Sequence, residues 1–269
     1  EWMEPDSPSY VDEHYFVYQR ESPFILLGLQ HPGFLSNTRY IFGAGYYAHT
    51  IEPYAAPNKL KHDQPTGIDG GVTSFLRAGL VYDTRDIRTT PQNGVWSEIM
   101  LEPASSLWGS DYDFTRITMI DRRYFSITPW LVYAQRFLFE TLPGNPPFYD
   151  MKDIASSYAR QNGLGGATSL RGIPRLLFIG QSKFVANFEL RFELFKMTIL
   201  NQPLTFYSQP YLDTGRVWLE NDPVTLKNMH TAYGLMFGIR VKKDALAVLT
   251  FGRSKYSDLA IYMTLGNAF

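Results

Sequence analysis

From Phe184 the chain alternates strictly. Phe184, Ala186, Phe188, Leu190, Phe192 and Leu194 are apolar, and the residues between them include Asn187, Glu189, Arg191 and Glu193. A period of two is that of a β-strand, whose successive side chains point to opposite faces. Few surroundings accept such a strand, because one face asks for hydrocarbon and the other for partners to amide, carboxylate and guanidinium groups. A membrane-spanning sheet with lipid outside and a wet interior satisfies both.

Period-two segments recur between turn signals, about twelve of them at a mean spacing of about 22 residues, which leaves room for connections around the ~9–11 residues a tilted barrel strand needs. The expected strands are His14–Arg20, Phe24–Gln30, Arg39–His49, Phe75–Arg85, Val95–Glu102, Tyr112–Phe125, Trp130–Glu140, Ser182–Phe195, Leu204–Trp218, Thr231–Val241, Ala245–Ser254 and Leu259–Phe269. Leu204–Asp213 sets Thr205, Tyr207, Gln209, Tyr211 and Asp213 against Leu204, Phe206 and Leu212. In Thr231–Val241 the apolar series Tyr233 to Val241 alternates with Ala232, Gly234, Met236, Gly238 and Arg240, whose small members leave room on the inner face. Ala245–Ser254 is apolar on both faces, and the alternation of Tyr112–Phe125 slips midway, which predicts a bulge. Long connections, Tyr54–Gly71 and Leu142–Gly166, contrast with short ones, Lys242–Asp244 and Ser254–Asp258, and a helical turn or two is expected near Met151–Arg160. No repeat or linker composition divides the chain, so one domain is expected over 1–269.

Composition narrows the function classes. The 16% aromatic share suits the aromatic girdles of a membrane barrel and equally an aromatic-rich soluble β protein. No apolar run approaches the ~18 residues of a membrane helix. A net charge of −1 gives no basic footprint for nucleic acid. The absence of cysteine excludes a disulfide framework and a thiolate metal site. His14, His31, His49, His62 and His230 show no metal-ligand spacing. Gly180-Gln181-Ser182-Lys183-Phe184 lacks the second glycine of a nucleophile elbow, and Gly163-Leu164-Gly165-Gly166 does not open the helix that a phosphate loop requires. No enzyme activity, metal or cofactor is predicted. The chain opens on Glu1-Trp2 and shows no signal peptide, so a place in an outer membrane would require a targeting segment that has been cleaved or lies outside this sequence.

Three segments carry a family likeness. Gly165-Gly166, Leu170-Arg171-Gly172-Ile173 and the strand bearing Asn187, Glu189 and Arg191 resemble the sixth extracellular loop and following strand of the bacterial surface antigen superfamily. That superfamily comprises the barrels of BamA- and TamA-type assembly factors and of two-partner secretion transporters. Gly79 to Asp86 resembles its mid-barrel hairpin, and Tyr211-Leu212-Asp213-Thr214-Gly215 resembles its thirteenth strand. The resemblance implies an all-β fold: a transmembrane antiparallel barrel of about 12 visible strands, whole or part of a 16-stranded one, with a long loop folded into the lumen. It also implies that Arg171 meets acids on the inner wall, and the matching positions are Glu189 and Asp213, which the alternation independently places on the polar face. The family's usual aromatic after Arg-Gly is replaced by Ile173-Pro174, which bears on how the tip seats. Asp83 and Arg85 are expected as lumen or rim structure. The last strand, with Leu265 and a terminal Phe269 on the parity of Leu259, Ile261 and Met263 and with Tyr262 on the opposite one, resembles the C-terminal recognition signal of outer-membrane barrels and would form part of a lateral seam.

The resemblance implies a bacterial outer-membrane protein that contacts lipids and takes part in inserting or translocating other outer-membrane proteins. Its expected partners are unfolded barrel substrates and other subunits of an outer-membrane complex. Two rivals stand beside that reading: an accessory or structural barrel without insertase activity, and a small porin-like channel.

Overall fold

A computed structural model describes residues 17–53, 58–158, 160–241, 245–267 and 269. The strands are β1 (Tyr18–Glu21), β2 (Phe24–Pro32), β3 (Thr38–Pro53), β4 (Gly71–Asp83), β5 (Gly94–Ala104), β6 (Phe114–Thr128), β7 (Leu131–Thr141), β8 (Asp153–Ile154), β9 (Gln161–Asn162), β10 (Ser182–Ile199), β11 (Gln202–Trp218), β12 (His230–Val241), β13 (Ala245–Ser254) and β14 (Ser257–Leu265). Two short helices, α1 (Lys59–Asp63) and α2 (Phe148–Met151), lie in the connections. All strands but β8 and β9 join one 12-stranded antiparallel sheet in chain order, and β8–β9 is a small hairpin of its own.

The first two sheet strands differ from expectation. β1 pairs Tyr18 with Pro53 and β2 pairs Phe24 with Tyr47, which is one continuous register against β3. They form a single edge strand interrupted at Ser22-Pro23, because a proline has no amide proton for the ladder. The expected first strand also included residues 14–16, which lie outside the described residues, as does the expected short turn at 242–244.

Burial divides the strands between faces. On one side Phe137, Leu212, Tyr233, Phe237, Leu249 and Ile261 are exposed, while on the other Arg136, Asp213, Ala232, Met236, Val248 and Thr250 are buried. Strands from both ends of the sheet reach the long connection between β7 and β10: the Tyr18 ring meets Phe148 at 5.4 Å, and the Tyr262 hydroxyl donates to Ile173 O at 3.2 Å. The sheet therefore curls around that connection, and its polar face is the inner one. Leu164, Leu170 and Ile173 of the connection pack with Ile120, Leu138, Val185 and Ala232 of the wall into the principal apolar cluster.

Three further expectations change. Met151–Arg160 is not helical beyond the end of α2; most of it belongs to the β8–β9 hairpin region, where α2 comes first. The slip in β6 falls at Ser126–Thr128 beside its turn rather than midway, and a second bulge interrupts β10 between Glu193 and Phe195. The last strand ends at Leu265, not Phe269. Gly266, at φ 89°, adopts a backbone conformation that side-chain-bearing residues rarely enter. Beyond it the chain turns inward, so Phe269 is 8% exposed instead of sharing the outer parity of Leu265, which is 88% exposed.

Candidate functional site

The inner face of β10 and β11 meets the loop Gly163–Pro174 at Arg171. Its Nε donates to Asp213 Oδ2 at 2.8 Å and its Nη2 to Oδ1 at 2.7 Å, a two-pronged contact that matches guanidinium to carboxylate. Nη1 donates to Glu189 Oε1 at 2.5 Å, and the backbone amide of Arg171 adds a bond to Asp213 at 2.9 Å. The guanidinium carbon lies 4.0 Å from the Tyr211 ring centroid, within cation–π range. All three charged side chains are at most 1% exposed. Burial opposes the charge on Arg171, but the carboxylates of Asp213 and then Glu189 outweigh it and hold its pKa above the ordinary arginine value.

Register explains why these groups converge. Asn187 pairs with Asp213, and Glu189 with Tyr211, on adjacent strands. Asn187 Nδ2 donates to Asp213 Oδ1 at 2.7 Å and to the loop carbonyl of Ser169 at 2.6 Å. Arg191 Nη2 is 2.7 Å from the second oxygen of Glu189. The tip is seated against β13: Gly172, at φ 105°, brings its backbone so close that an added Cβ would lie 2.7 Å from Arg253 N, and the Ser254 hydroxyl donates to Gly172 O at 2.6 Å. The small residues of β12 and β13 serve this approach, since a Cβ on Gly234 or Gly252 would meet the Tyr211 hydroxyl at 2.6 or 2.5 Å. Leu170 and Ile173 are fully buried, so an aliphatic residue fills the position after Arg-Gly.

Asp83 and Arg85 lie apart from this knot, at the end of β4. They pair with each other at 2.9 Å, Arg39 approaches Asp83 at 3.6 Å, and Arg85 covers the buried Trp96 ring at 4.3 Å. Phe269 packs with Tyr124, Val132 and Ala134, flanked by the guanidiniums of Arg136 and Arg191 at 5.2 and 5.4 Å from its ring.

Several participants escaped the sequence reading. Arg136 donates to Asn187 Oδ1 at 2.9 Å and to the loop carbonyl of Thr168 at 2.6 Å. A second buried network grips the other half of the connection. Glu140 accepts from Arg116 at 2.9 Å, Lys183 at 2.8 Å, Thr118 at 2.7 Å and the amide of Ala155 at 2.8 Å. Lys183 also donates to the carbonyls of Met151 and Asp153, while Arg160 of the connection reaches Glu102 at 3.0 Å. Alternation was the available signal, since Arg116 and Thr118 on β6, and Arg136 and Glu140 on β7, keep the inner parity of their strands.

The arrangement contains charge held by opposite charge and by loop carbonyls, and among the described residues no cluster of histidine, cysteine or carboxylate groups suits a metal ion. Its chemical capacity is to hold a loop against a polar wall.

Comparison with curated proteins finds no match. Among solved structures, the crystal structure of BamA from Haemophilus ducreyi lacking POTRA domains 1–3 matches with a TM-score of 0.66 at 15% identity, over 93% of this chain and 54% of that one. The chain thus spans about half the length of that structure, and the likeness is one of fold. The Omp85 superfamily domain matches residues 15–242. With most of its length covered by that domain, the chain belongs to the Omp85 superfamily and is an integral outer-membrane protein.

Proposed function

We propose that residues 1–269 form one domain, the wall of a transmembrane barrel closed on itself or completed by further strands, that serves the insertion or translocation of other outer-membrane proteins. The observation that carries this reading is the burial of Arg171, a loop residue, between Asp213 and Glu189 on two neighbouring strands. A loop pinned inside the wall is a brace for the lumen and an obstacle to free passage of solutes, which favours an assembly factor over a porin-like channel. The connections 58–70 and 142–181 lie at one end of the sheet with the tight turn 255–256, and the short turns 33–37, 129–130 and 200–201 lie at the other with the connection 84–93. Barrels of this class keep short turns on the periplasmic side, so the braced loop enters from outside the cell. Lipid meets Phe137, Phe237 and Ile261. β14 pairs only with β13 among the described strands, and its free edge suits templating of an incoming strand by edge pairing. The partners of this reading are unfolded barrel chains and other subunits of an outer-membrane complex.

The test is a reconstitution. Protein in liposomes should speed the folding of a second barrel, followed by its heat-modifiable gel mobility, and Arg171→Ala should slow it. Folding no faster than in empty liposomes would refute the insertase role and leave an accessory one.

A further inference from the structure

At the short-turn end, the connection between β4 and β5 crosses towards β12, where Arg240 Nη1 donates to Thr90 Oγ1 at 3.3 Å. Beside this crossing lies a cavity of about 840 Å³. Arg85, Arg88 and Arg122 line one part of it, and Ile239, Val241 and Leu265 line another. No described aspartate or glutamate lines it, and the main-chain oxygen of Phe269, which also lines it, is taken by Arg191 Nη2 at 3.1 Å. Ile239 is 41% exposed and Leu265 88% exposed, so the cavity opens onto the apolar outer face.

Part of the positive charge is unbalanced, since Arg85 pairs with Asp83 but Arg88 and Arg122 have no carboxylate partner among the described residues. Arg122 stands directly opposite Arg136 on β7, and like charges facing each other across a strand pair are unfavourable. Arg122 makes no hydrogen bond or ion pair with the described residues, and its Nε is buried without an acceptor, as is the Tyr124 hydroxyl on the same wall. Neighbouring inner acids face other groups: Asp83 pairs with Arg85 and Arg39, Glu189 with Arg171 and Arg191, and Glu98 bonds Ser157 through one oxygen, its other oxygen having no partner and Arg122 making no ion pair with it. Buried donors without acceptors are costly, and guanidinium groups pair well with phosphate oxygens.

We infer that this cavity binds a phosphate-bearing amphiphile, a phospholipid whose phosphate lies among Arg85, Arg88 and Arg122 and whose acyl chain runs out over Ile239, Val241 and Leu265. The inference rests on the proposed membrane wall with its short turns on the periplasmic side, the level at which phospholipid headgroups of the inner leaflet lie. Both halves of the lining are needed: the arginines alone suit any phosphate, and the apolar residues alone suit any hydrocarbon.

The experiment is native mass spectrometry of the full chain released from vesicles of phosphatidylglycerol and phosphatidylethanolamine. One retained phospholipid per chain is expected. Arg122→Gln should lower retention about tenfold, as should Arg88→Gln at an exposed loop position that leaves folding intact, whereas Arg88→Lys should largely preserve it. Heat-modifiable mobility verifies the fold of each variant. Inorganic phosphate at millimolar concentration should not displace the lipid; displacement would assign the site to free anions and overturn the inference. So would retention unchanged by both glutamine variants, no retained lipid, or displacement only by a peptide with a free terminal carboxylate. Urea extraction of the same vesicles separates the two readings. A chain that washes off sinks the membrane wall and the lipid site together, and a chain that stays without lipid sinks the site alone.

Discussion

Replacing Arg171 with alanine removes the one cation shared by Asp213 and Glu189. What remains decides the magnitude. Glu189 keeps Arg191 at 2.7 Å, but Asp213 keeps only neutral donors, Asn187 Nδ2 at 2.7 Å and the amide of residue 171 at 2.9 Å. Asp213, fully buried, is the stranded charge. Breaking a buried pair from one side costs about 3–5 kcal/mol, which at ~1.4 kcal/mol per decade lowers the ratio of seated to released loop by about two to nearly four decades. The assay is protease cleavage within residues 142–181 in detergent micelles, because cleavage follows the open population when reclosing is fast. Cleavage of Arg171→Ala should accelerate by at least about a hundredfold. Adding Asp213→Asn should recover part of the loss, since removing both partners relieves the stranded charge. Acceleration of less than about fivefold, the surface value of ~1 kcal/mol, would refute the claim that this pair is shielded from water.

Three other perturbations probe other parts of the wall. Glu140→Gln removes the carboxylate charge that balances Lys183, leaving its ammonium with neutral acceptors such as the carbonyls of Met151 and Asp153, and should cost about 3 kcal/mol in urea unfolding followed by tryptophan fluorescence. Gly172→Ala forces a methyl group against Arg253 N at a positive φ; about 1–3 kcal/mol of strain should appear as faster cleavage of the same loop, with unchanged outer-wall strands in hydrogen exchange. Phe237→Arg sets a charge on the exposed apolar face, and should cost about 2–4 kcal/mol in lipid vesicles near the bilayer midplane and much less in a detergent that lets the side chain reach water.

Alternation made the sheet legible from the sequence. β10, β11 and β12 each keep a polar and an apolar parity over most of their length, so face assignment and the inward placement of Glu189 and Asp213 followed from counting. Register was not legible, and register builds the second network. Lys183 pairs with Glu140, and Glu140 with Thr118, across three strands separated by loops of different length. Each residue alone reads as an ordinary inner polar group, and only the alignment makes them a cluster. The two ends misled for local reasons. Parity counting carries past Gly266 without registering that a positive φ ends the strand there, and it cannot tell that Ser22-Pro23 interrupts one edge strand rather than separating two. The helix expected after Met151 failed because the backbone of that stretch is claimed by wall side chains: Lys183 and Arg116 both bond Asp153 O.

Why the loop is held mainly by charge follows from what surrounds it. The apolar cluster formed by Leu164, Leu170 and Ile173 with Ile120, Leu138, Val185 and Ala232 lies between two ionic networks, so the loop is packed as a small core inside a polar wall. An entirely apolar plug would leave hydrocarbon facing the interior whenever it withdrew, at ~25 cal/mol per Å² of apolar area exposed. Carboxylates and guanidiniums behave differently, since water that follows the departing loop solvates Asp213, Glu189 and Glu140 and returns part of the pairing energy. The full buried cost then applies only while water is excluded, and the wall remains compatible with a wet lumen after release. A brace of this kind is rigid when seated and tolerable when withdrawn, which is the combination that a wall required to admit another strand at its edge would need.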